Sequence, residues 1–172
     1  VANYDIDGLH LDYVRFPELN YGTDDFGYNQ DIIDGFAKKT GITSDPHYFS
    51  NGSFEKTAWI EYRCDIITSF IKEVVDAVHK IDKELWISTA TYPDVVLSKN
   101  TIFQDIVGLA ESGYIDEMFS MSYGIETDSV MISVNDYLGI TDSKTFYSAG
   151  IAAFLGTAQL TFADQLATVT KA

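Results

Sequence analysis

The chain has 172 residues, with 11 Lys and Arg against 26 Asp and Glu, so its formal net charge is −15 and its isoelectric point is near 4.2. This acidity excludes a protein that binds nucleic acid by neutralising phosphates, and it disfavours docking on an anionic membrane surface. Hydrophobic residues make up 46% of the chain and charged residues 22%, which is the composition of a folded globular domain.

Four segments have the pattern of strands, and a helical pattern follows each of them. The strands are predicted at residues 4–14, 85–92, 115–123 and 145–153. The helices are predicted at residues 30–39 with Gly41 as the terminator, from Ser53 to about Lys80, at 101–112 before Gly113, at 128–138 before Gly139, and from Thr161, which forms a capping box with Asp164.

Strands that alternate with helices predict a parallel sheet with helical crossovers. No glycine-rich phosphate-binding loop follows any predicted strand, which disfavours a doubly wound nucleotide-binding sheet. Four strand–helix units in 172 residues take about 43 residues each, so eight would need roughly 340, which is within the range of TIM barrels. We therefore predict an α/β fold in which residues 1–172 form about half of a (β/α)8 TIM barrel, and the chain, which begins at Val1 without Met, is expected to be a piece of a longer protein.

The first predicted strand carries the strongest candidate for catalysis. Strand alternation puts His10 and Asp12 on one face, and Leu9 and Leu11 on the other. Because a barrel strand presents its large apolar side chains to the surrounding helices, we expect His10 and Asp12 to face the barrel interior, with Asp12 at the carboxyl end where barrel enzymes place catalytic groups. In the structural alternative, Asp12 caps the following turn and His10 fills the barrel floor.

Six segments together form a recognisable pattern. They are residues 7–17 (DGLHLDYVRFP), 25–29 (DFGYN), 59–63 (WIEYR), 87–94 (ISTATYPD), 113–116 (GYID) and 121–123 (MSY). In this order they resemble the glycosyl-hydrolase-like family 10, a bacterial group of TIM-barrel proteins. The resemblance implies that the first segment is strand four of the barrel, that the chain holds strands four to seven, and that the protein is secreted or on the cell surface.

Two other barrel families resemble the first strand. Relative to family 18 chitinases, His10 stands at the place of their first inner Asp and Val14 at the place of their acid Glu, so the chitinase proton donor is missing. In alpha-amylase-like barrels the final Asp of a similar strand is the nucleophile, and an acid follows strand five. Asp12 and Asp94 occupy the equivalent places.

Hydrolysis of a glycosidic bond needs two carboxyl groups, one that protonates the leaving oxygen and one that attacks or activates water. Asp12 is the candidate nucleophile or base, and Asp94 is the candidate acid with Glu126 as its rival. Asp94 could instead belong to a turn, and Glu126 could instead begin a helix. An acid on a strand outside this chain is a further alternative.

Six residues are candidates for substrate binding: His10, Arg15, Trp59, Arg63, Tyr92 and Tyr123. The aromatic rings could serve as sugar platforms or could pack in the core. Arg15 could clamp a substrate group or pair with Asp24 or Asp25. Arg63 lies near the start of the long helix, where the dipole disfavours a cation, so we expect a specific acceptor to hold it or, as the alternative, solvent.

The remaining predictions concern cofactors and partners. The three His residues are scattered and no cluster has ligand spacing, so no metal or other cofactor is predicted. No apolar run is long enough for a membrane span, and the expected partner is a carbohydrate. Half a barrel exposes strand edges and its inner face, which predicts association with a partner or with the missing half. The resemblance implies a glycoside hydrolase that cleaves a polysaccharide or glycan by a two-carboxylate mechanism, and the alternative function is a non-catalytic carbohydrate-binding or scaffolding barrel.

Overall fold

Strands and helices alternate along most of the chain. The computed structural model describes residues 1–18, 25–124, 126–141, 144–155, 158–159 and 161–171. Within these residues the strands are β1 (Gly8–Leu11), β2 (Trp86–Thr91), β3 (Glu117–Ser120), β4 (Phe146–Ala149), β5 (Phe154–Leu155) and β6 (Ala158–Gln159). The α-helices are α1 (Gln30–Thr40), α2 (Phe54–His79), α3 (Val95–Leu97), α4 (Ile106–Ser112), α5 (Thr127–Ile140) and α6 (Phe162–Lys171). A 3₁₀ turn covers Pro46–Tyr48 and a π turn covers Ser98–Ile102.

Strands β1 to β4 form one parallel sheet whose strands lie in sequence order, β1-β2-β3-β4, and β5 and β6 form a separate antiparallel pair. A doubly wound sheet reverses its strand order at a switch point, whereas a barrel places each strand beside the one before it. The four-stranded sheet has no reversal. This mixed α/β fold is therefore compatible with a partial α/β barrel, and the predicted parallel sheet is confirmed.

The main hydrophobic core lies between this sheet and the helices. Ile87 and Met118 are fully buried on the helix-facing side of the sheet, where they belong to one cluster with Ile71 of α2. Burying an aliphatic side chain of this size stabilises a fold by about 1.5–3 kcal/mol. Leu9 and Leu11 of β1 pack against the same cluster, so the predicted orientation of β1 is confirmed.

The opposite face of the sheet is polar and aromatic. The rings of Trp86 and Phe146 lie 5.4 Å apart on this face, and these residues are 41% and 67% exposed. Between their strands, Glu117 accepts hydrogen bonds from Trp86 Nε1 at 3.3 Å and Ser148 Oγ at 2.6 Å. This face, which lies opposite the helices, is thus partly open to solvent.

Three helix ends follow their sequence signals. Gly41 ends α1 in the left-handed conformation, with φ of 77°. Ser53 caps α2 because its Oγ accepts a hydrogen bond from Lys56 N at 3.1 Å. At the start of α6, Asp164 N donates to Thr161 Oγ1 while Thr161 N donates to Asp164 Oδ2, which confirms the predicted capping box.

Other predicted boundaries are wrong. The helix predicted at residues 101–112 begins at Ile106, because the π turn precedes it and Asp105 caps Gly108 N at 3.2 Å. Gly139 lies inside α5, where the hydrogen bond from Thr141 N to Tyr137 O continues the helical pattern past it. The first strand is also shorter than predicted, because only Gly8–Leu11 pairs with β2.

Candidate active site

Polar and aromatic side chains follow the carboxyl ends of β1, β2 and β3. Asp12 comes directly after β1, Tyr92 comes directly after β2, and Asp94 is the N-cap of α3. Tyr123 follows β3, and Glu126 precedes α5. Because the carboxyl ends of parallel strands share one edge of a sheet, these residues belong to the same end of the fold, which is the end that carries active sites in α/β barrels.

Asp12 is exposed at this edge, and its carboxylate is oriented by the backbone that follows it. Tyr13 N donates a hydrogen bond to Asp12 Oδ1 at 2.8 Å. Tyr13 has a φ of 55°, a left-handed conformation that is unusual for an aromatic residue, and its ring is exposed. The chain leaves the sheet at this turn, which is why β1 ends at Leu11.

His10 lies in β1, two residues before Asp12, on the face opposite Leu9 and Leu11. Its Nδ1 is 2.9 Å from Ser88 Oγ of β2, and its ring meets the ring of Phe119 of β3 edge-on, with centroids 5.4 Å apart. His10 is exposed beyond these contacts. The structure therefore places His10 on the open face of the sheet and leaves Asp12 exposed directly after β1.

Arg15 is nearly buried, with 8% of its side chain exposed, and it pairs with Glu18 through Nη1 at 2.6 Å. The predicted alternative, a pair with Asp25, is wrong, and Asp24 lies outside the described residues. The guanidinium lies 4.8 Å from the ring centroid of Tyr13 and 5.8 Å from that of Tyr92, and Arg15 Nε is buried without a hydrogen-bond partner among the described residues.

Arg15 lines a cleft of about 480 Å³ in the loop after β1. Its walls are formed by Tyr13, Arg15, Phe16, Pro17, Glu18 and Phe26. The volume is within the range of about 300–1,000 Å³ that is common for ligand sites. Charged and aromatic groups thus meet in one concave surface formed by the loop that follows Asp12.

The two acid candidates differ in their local bonding. Asp94 Oδ1 accepts a hydrogen bond from Leu97 N at 2.7 Å, which is the turn-capping role that the sequence left as an alternative. Glu126 occupies the N-cap position of α5, but its carboxylate makes no capping hydrogen bond. Both residues are exposed.

Trp59 does not reach the open edge. It is fully buried, with its ring in contact with those of Phe36 at 4.9 Å and Tyr28 at 5.4 Å between centroids. A sugar platform needs one open ring face, so the prediction of a platform at Trp59 does not fit this structure. The packing alternative accounts for its position.

Arg63 is also fully buried, and the expected specific acceptor is Asp25. Arg63 Nη1 donates to Asp25 Oδ1 at 2.7 Å and to Phe26 O at 2.9 Å, and the guanidinium lies 3.6 Å from the ring centroid of Phe103. Burial would raise the pKa of Asp25, but hydrogen bonds from Tyr28 and Arg63 lower it below its usual value. In this structure Arg63 holds the loop after β1 instead of facing a substrate.

Sequence reasoning missed several buried polar groups behind the edge. Ser122, which follows β3, bonds to Ser120 Oγ at 2.8 Å and to Ser133 Oγ at 2.7 Å. Tyr137 donates its hydroxyl proton to Tyr92 O at 2.7 Å, and burial raises the pKa of Tyr137. The triplet 121–123 belongs to the pattern that resembles the family, but no local pattern in the sequence indicates the hydrogen-bond partners of Ser122.

Among the described residues, no group of three or more His, Cys, Asp or Glu side chains is arranged to hold a metal ion. No helix in the described part of the chain combines the length and apolar character needed to cross a membrane.

The fold and this edge define a class of protein: a mixed α/β protein with a parallel sheet, compatible with a partial α/β barrel, and with carboxylates and aromatic residues at the carboxyl ends of its strands. Residues 1–160 match the family model of glycosyl hydrolase-like 10. The chain belongs to this family, which confirms the resemblance and indicates a role related to glycoside hydrolases. Comparisons with curated proteins and with solved structures gave no significant match.

Proposed function

We propose that the protein is a glycoside hydrolase that cleaves a polysaccharide or glycan, with Asp12 as nucleophile or base. The observation that carries the proposal is the position of Asp12, exposed after β1 in a family member, with Oδ1 held by Tyr13 N at 2.8 Å. This bond uses one carboxylate oxygen. The other oxygen, Oδ2, has no protein partner among the described residues and is free to attack or to activate water.

The second carboxyl group has two candidates within this chain. A general acid must donate a proton to the leaving oxygen, so its carboxyl must be free to carry one toward the substrate. Asp94 already accepts the hydrogen bond from Leu97 N, whereas the Glu126 carboxylate has no such commitment. This difference favours Glu126 as the acid and Asp94 as the cap of α3.

The remaining candidates have different roles in the proposal. His10, Arg15 and Tyr123 contact the substrate at the open edge, and Tyr92 supports Arg15 through the contact between its ring and the guanidinium. Residues 1–172 correspond to strands four to seven of a TIM barrel, and we propose that the protein is secreted or on the cell surface. The net charge of −15 disfavours polyanionic glycans and points to neutral or basic sugars.

A second candidate function is a non-catalytic carbohydrate-binding or scaffolding barrel. The observation that favours it is the bond from Leu97 N to Asp94, which removes one of the two acids from the expected pair. This function predicts binding of glycans without release of reducing ends.

The D12N variant tests the proposal, with D7N as its matched control. Asp7 is an exposed Asp at the other end of β1, so D7N makes the same chemical change away from the carboxyl edge. Reducing-end release is measured on neutral and amino-sugar polysaccharides, together with glycan binding by calorimetry. We expect D12N to lower hydrolysis by about 10³-fold or more while D7N retains it and both keep the wild-type melting temperature.

Hydrolysis by D12N at the wild-type rate would refute the role of Asp12. Binding without hydrolysis by the wild type, weakened in D12N, would replace the proposal with the non-catalytic alternative. Comparison of the single variants E126Q and D94N assigns the acid. Only the variant of the true acid should lose activity on substrates whose leaving group is poor, because such a group needs protonation.

A further inference from the structure

Gln104 is fully buried where β1 leaves the sheet. Its Oε1 accepts a hydrogen bond from Tyr92 N at 3.0 Å, and its Nε2 lies 3.3 Å from Ala90 O and donates to it. In a parallel sheet, a residue of one strand accepts a hydrogen bond from a backbone N–H of the neighbouring strand. The same residue donates a hydrogen bond to the carbonyl two residues earlier in that neighbouring strand. The carboxamide of Gln104 therefore occupies the place of a β1 peptide group beside the end of β2.

The same carboxamide also contacts the loop after β1. Gln104 Nε2 donates to Val14 O at 3.3 Å, and Phe16 N donates to Ile102 O at 3.0 Å. The Ser98–Ile102 π turn and Gln104 thus bond to both the end of β2 and the loop that follows Asp12.

The two non-glycine residues with positive φ in the described chain flank this link. Tyr13, with φ of 55°, precedes Val14, and Phe103, with φ of 56°, precedes Gln104. Bulky residues keep this conformation only where surrounding contacts determine it. The bond between Gln104 and Val14 joins the two strained segments directly.

We propose that Gln104 is a positioning residue that fixes the loop after β1 and thereby the orientation of Asp12. The inference rests on the proposed function, in which Asp12 is the nucleophile or base. Few bonds connect Gln104 to Asp12. Gln104 Nε2 donates to Val14 O, Val14 directly follows Tyr13, and Tyr13 N donates to Asp12 Oδ1.

The test compares Q104M, which removes all three side-chain bonds at similar volume, with S98A. Ser98 Oγ lies 2.9 Å from both Gln104 O and Val95 O, which share its single hydroxyl proton, so S98A removes buried hydrogen bonding inside the same turn but none to β1 or β2. Amide exchange by NMR, measured without substrate, follows Arg15 and Phe16, neither of which bonds to the Gln104 side chain.

We expect exchange at Arg15 and Phe16 to be about tenfold faster in Q104M than in S98A, with a shifted Tyr13 amide resonance in Q104M only. Exchange in the core of α2 should change equally in both variants. On a hydrolysed glycan, Q104M should lower kcat relative to S98A, because the loop no longer holds Asp12 in its reactive orientation. Equal local exchange in the two variants, or an unchanged kcat in Q104M, would overturn the proposal.

The Q104E variant provides a second test that needs no activity and serves if Q104M does not fold. Its carboxylate still accepts from Tyr92 N, but when ionised it has no donor for Val14 O and Ala90 O. Acidification protonates the carboxyl and restores one donor, so local protection should recover as the pH falls. No recovery would contradict the positioning role. If the wild type hydrolyses no glycan, the proposed function fails, while the exchange measurements still decide whether Gln104 fixes the loop.

Discussion

The buried pair of Arg63 and Asp25 allows a quantitative prediction, because its two partners differ in exposure. The side chain of Arg63 is fully buried, whereas 28% of the Asp25 side chain is exposed. We compare D25N, which leaves the guanidinium without its counter-ion, with R63M, which leaves the carboxylate without its main donor. The D25N variant should be the more destabilised of the two.

The magnitudes follow from what each remaining partner can reach. In D25N, Arg63 keeps Phe26 O and the contact with the Phe103 ring but cannot reach water, so we expect a loss of about 3 kcal/mol, near the lower end for a broken buried pair. In R63M, Asp25 keeps the hydrogen bond from Tyr28 at 2.6 Å and can be solvated, and Met fills the alkyl space. The expected loss is about 1–2 kcal/mol.

The free energy of unfolding is measured by urea denaturation with tryptophan fluorescence and circular dichroism. The control is D65N, which breaks the surface pair between Lys39 and Asp65, where both side chains are 56% exposed, and should cost about 0–1 kcal/mol. A loss in D25N no larger than in D65N, or a larger loss in R63M than in D25N, would refute the reasoning.

The pH dependence of stability gives an independent check on Asp25. The pKa of Asp25 is lowered in the folded protein, so its contribution is present above the unfolded value of about 3.9 and is lost as the pH falls through the lower, folded value. The stability difference between wild type and D25N should therefore shrink on acidification below that unfolded value. A constant stability difference across this pH range would mean that the charge of Asp25 is not what stabilises the wild type relative to D25N.

Two further predictions concern the loop and the open face. Gly27 has a φ of 92°, and an added Cβ would lie 2.8 Å from the Phe16 ring, whereas Gly52 has a φ of 78° and open space around it. In urea denaturation, G27A should therefore be less stable than G52A by about 1–3 kcal/mol. Equal losses in the two variants would contradict the predicted clash. The exposed Trp86 and Phe146 predict self-association of this chain in sedimentation, reduced by a W86S/F146S double variant, and a stable monomer at high concentration would contradict it.

The sequence predicted those parts of the fold that depend on local signals. The order of strands and helices, the cap at Ser53 and the left-handed end at Gly41 depend on short-range periodicity and backbone preference. The segment before α4 was predicted wrongly because its π turn depends on long-range bonds, such as the one from Phe16 N to Ile102 O. No window of local sequence contains both partners.

In the candidate site, too, the residues set by local signals were predicted and those set by long-range contacts were not. Alternation along β1 correctly predicted that Leu9 and Leu11 pack against the core while His10 is exposed, since a strand has only two faces. A residue on a helix can point in many more directions than a residue on a strand, so its sequence position does not tell whether it faces the site. Trp59 and Arg63 of α2 face the core beneath the loop. Gln104 was not identified at all, because its role comes from replacing a backbone peptide group of another segment.

The segments that resemble the family therefore contain residues of two kinds. Asp12 lies at the open edge, whereas Asp25 and Arg63 form a support behind the loop, and Phe26 joins them because its carbonyl accepts from Arg63 while it also lines the cleft beside Arg15. Loss of this support would move a cleft wall without removing any group that touches substrate. Lost activity in an Arg63 variant would therefore not identify Arg63 as a substrate ligand, since the same loss is expected from unfolding of the loop. Loss of activity at full stability, as expected for D12N, is therefore a necessary condition for assigning a residue that acts on the substrate itself.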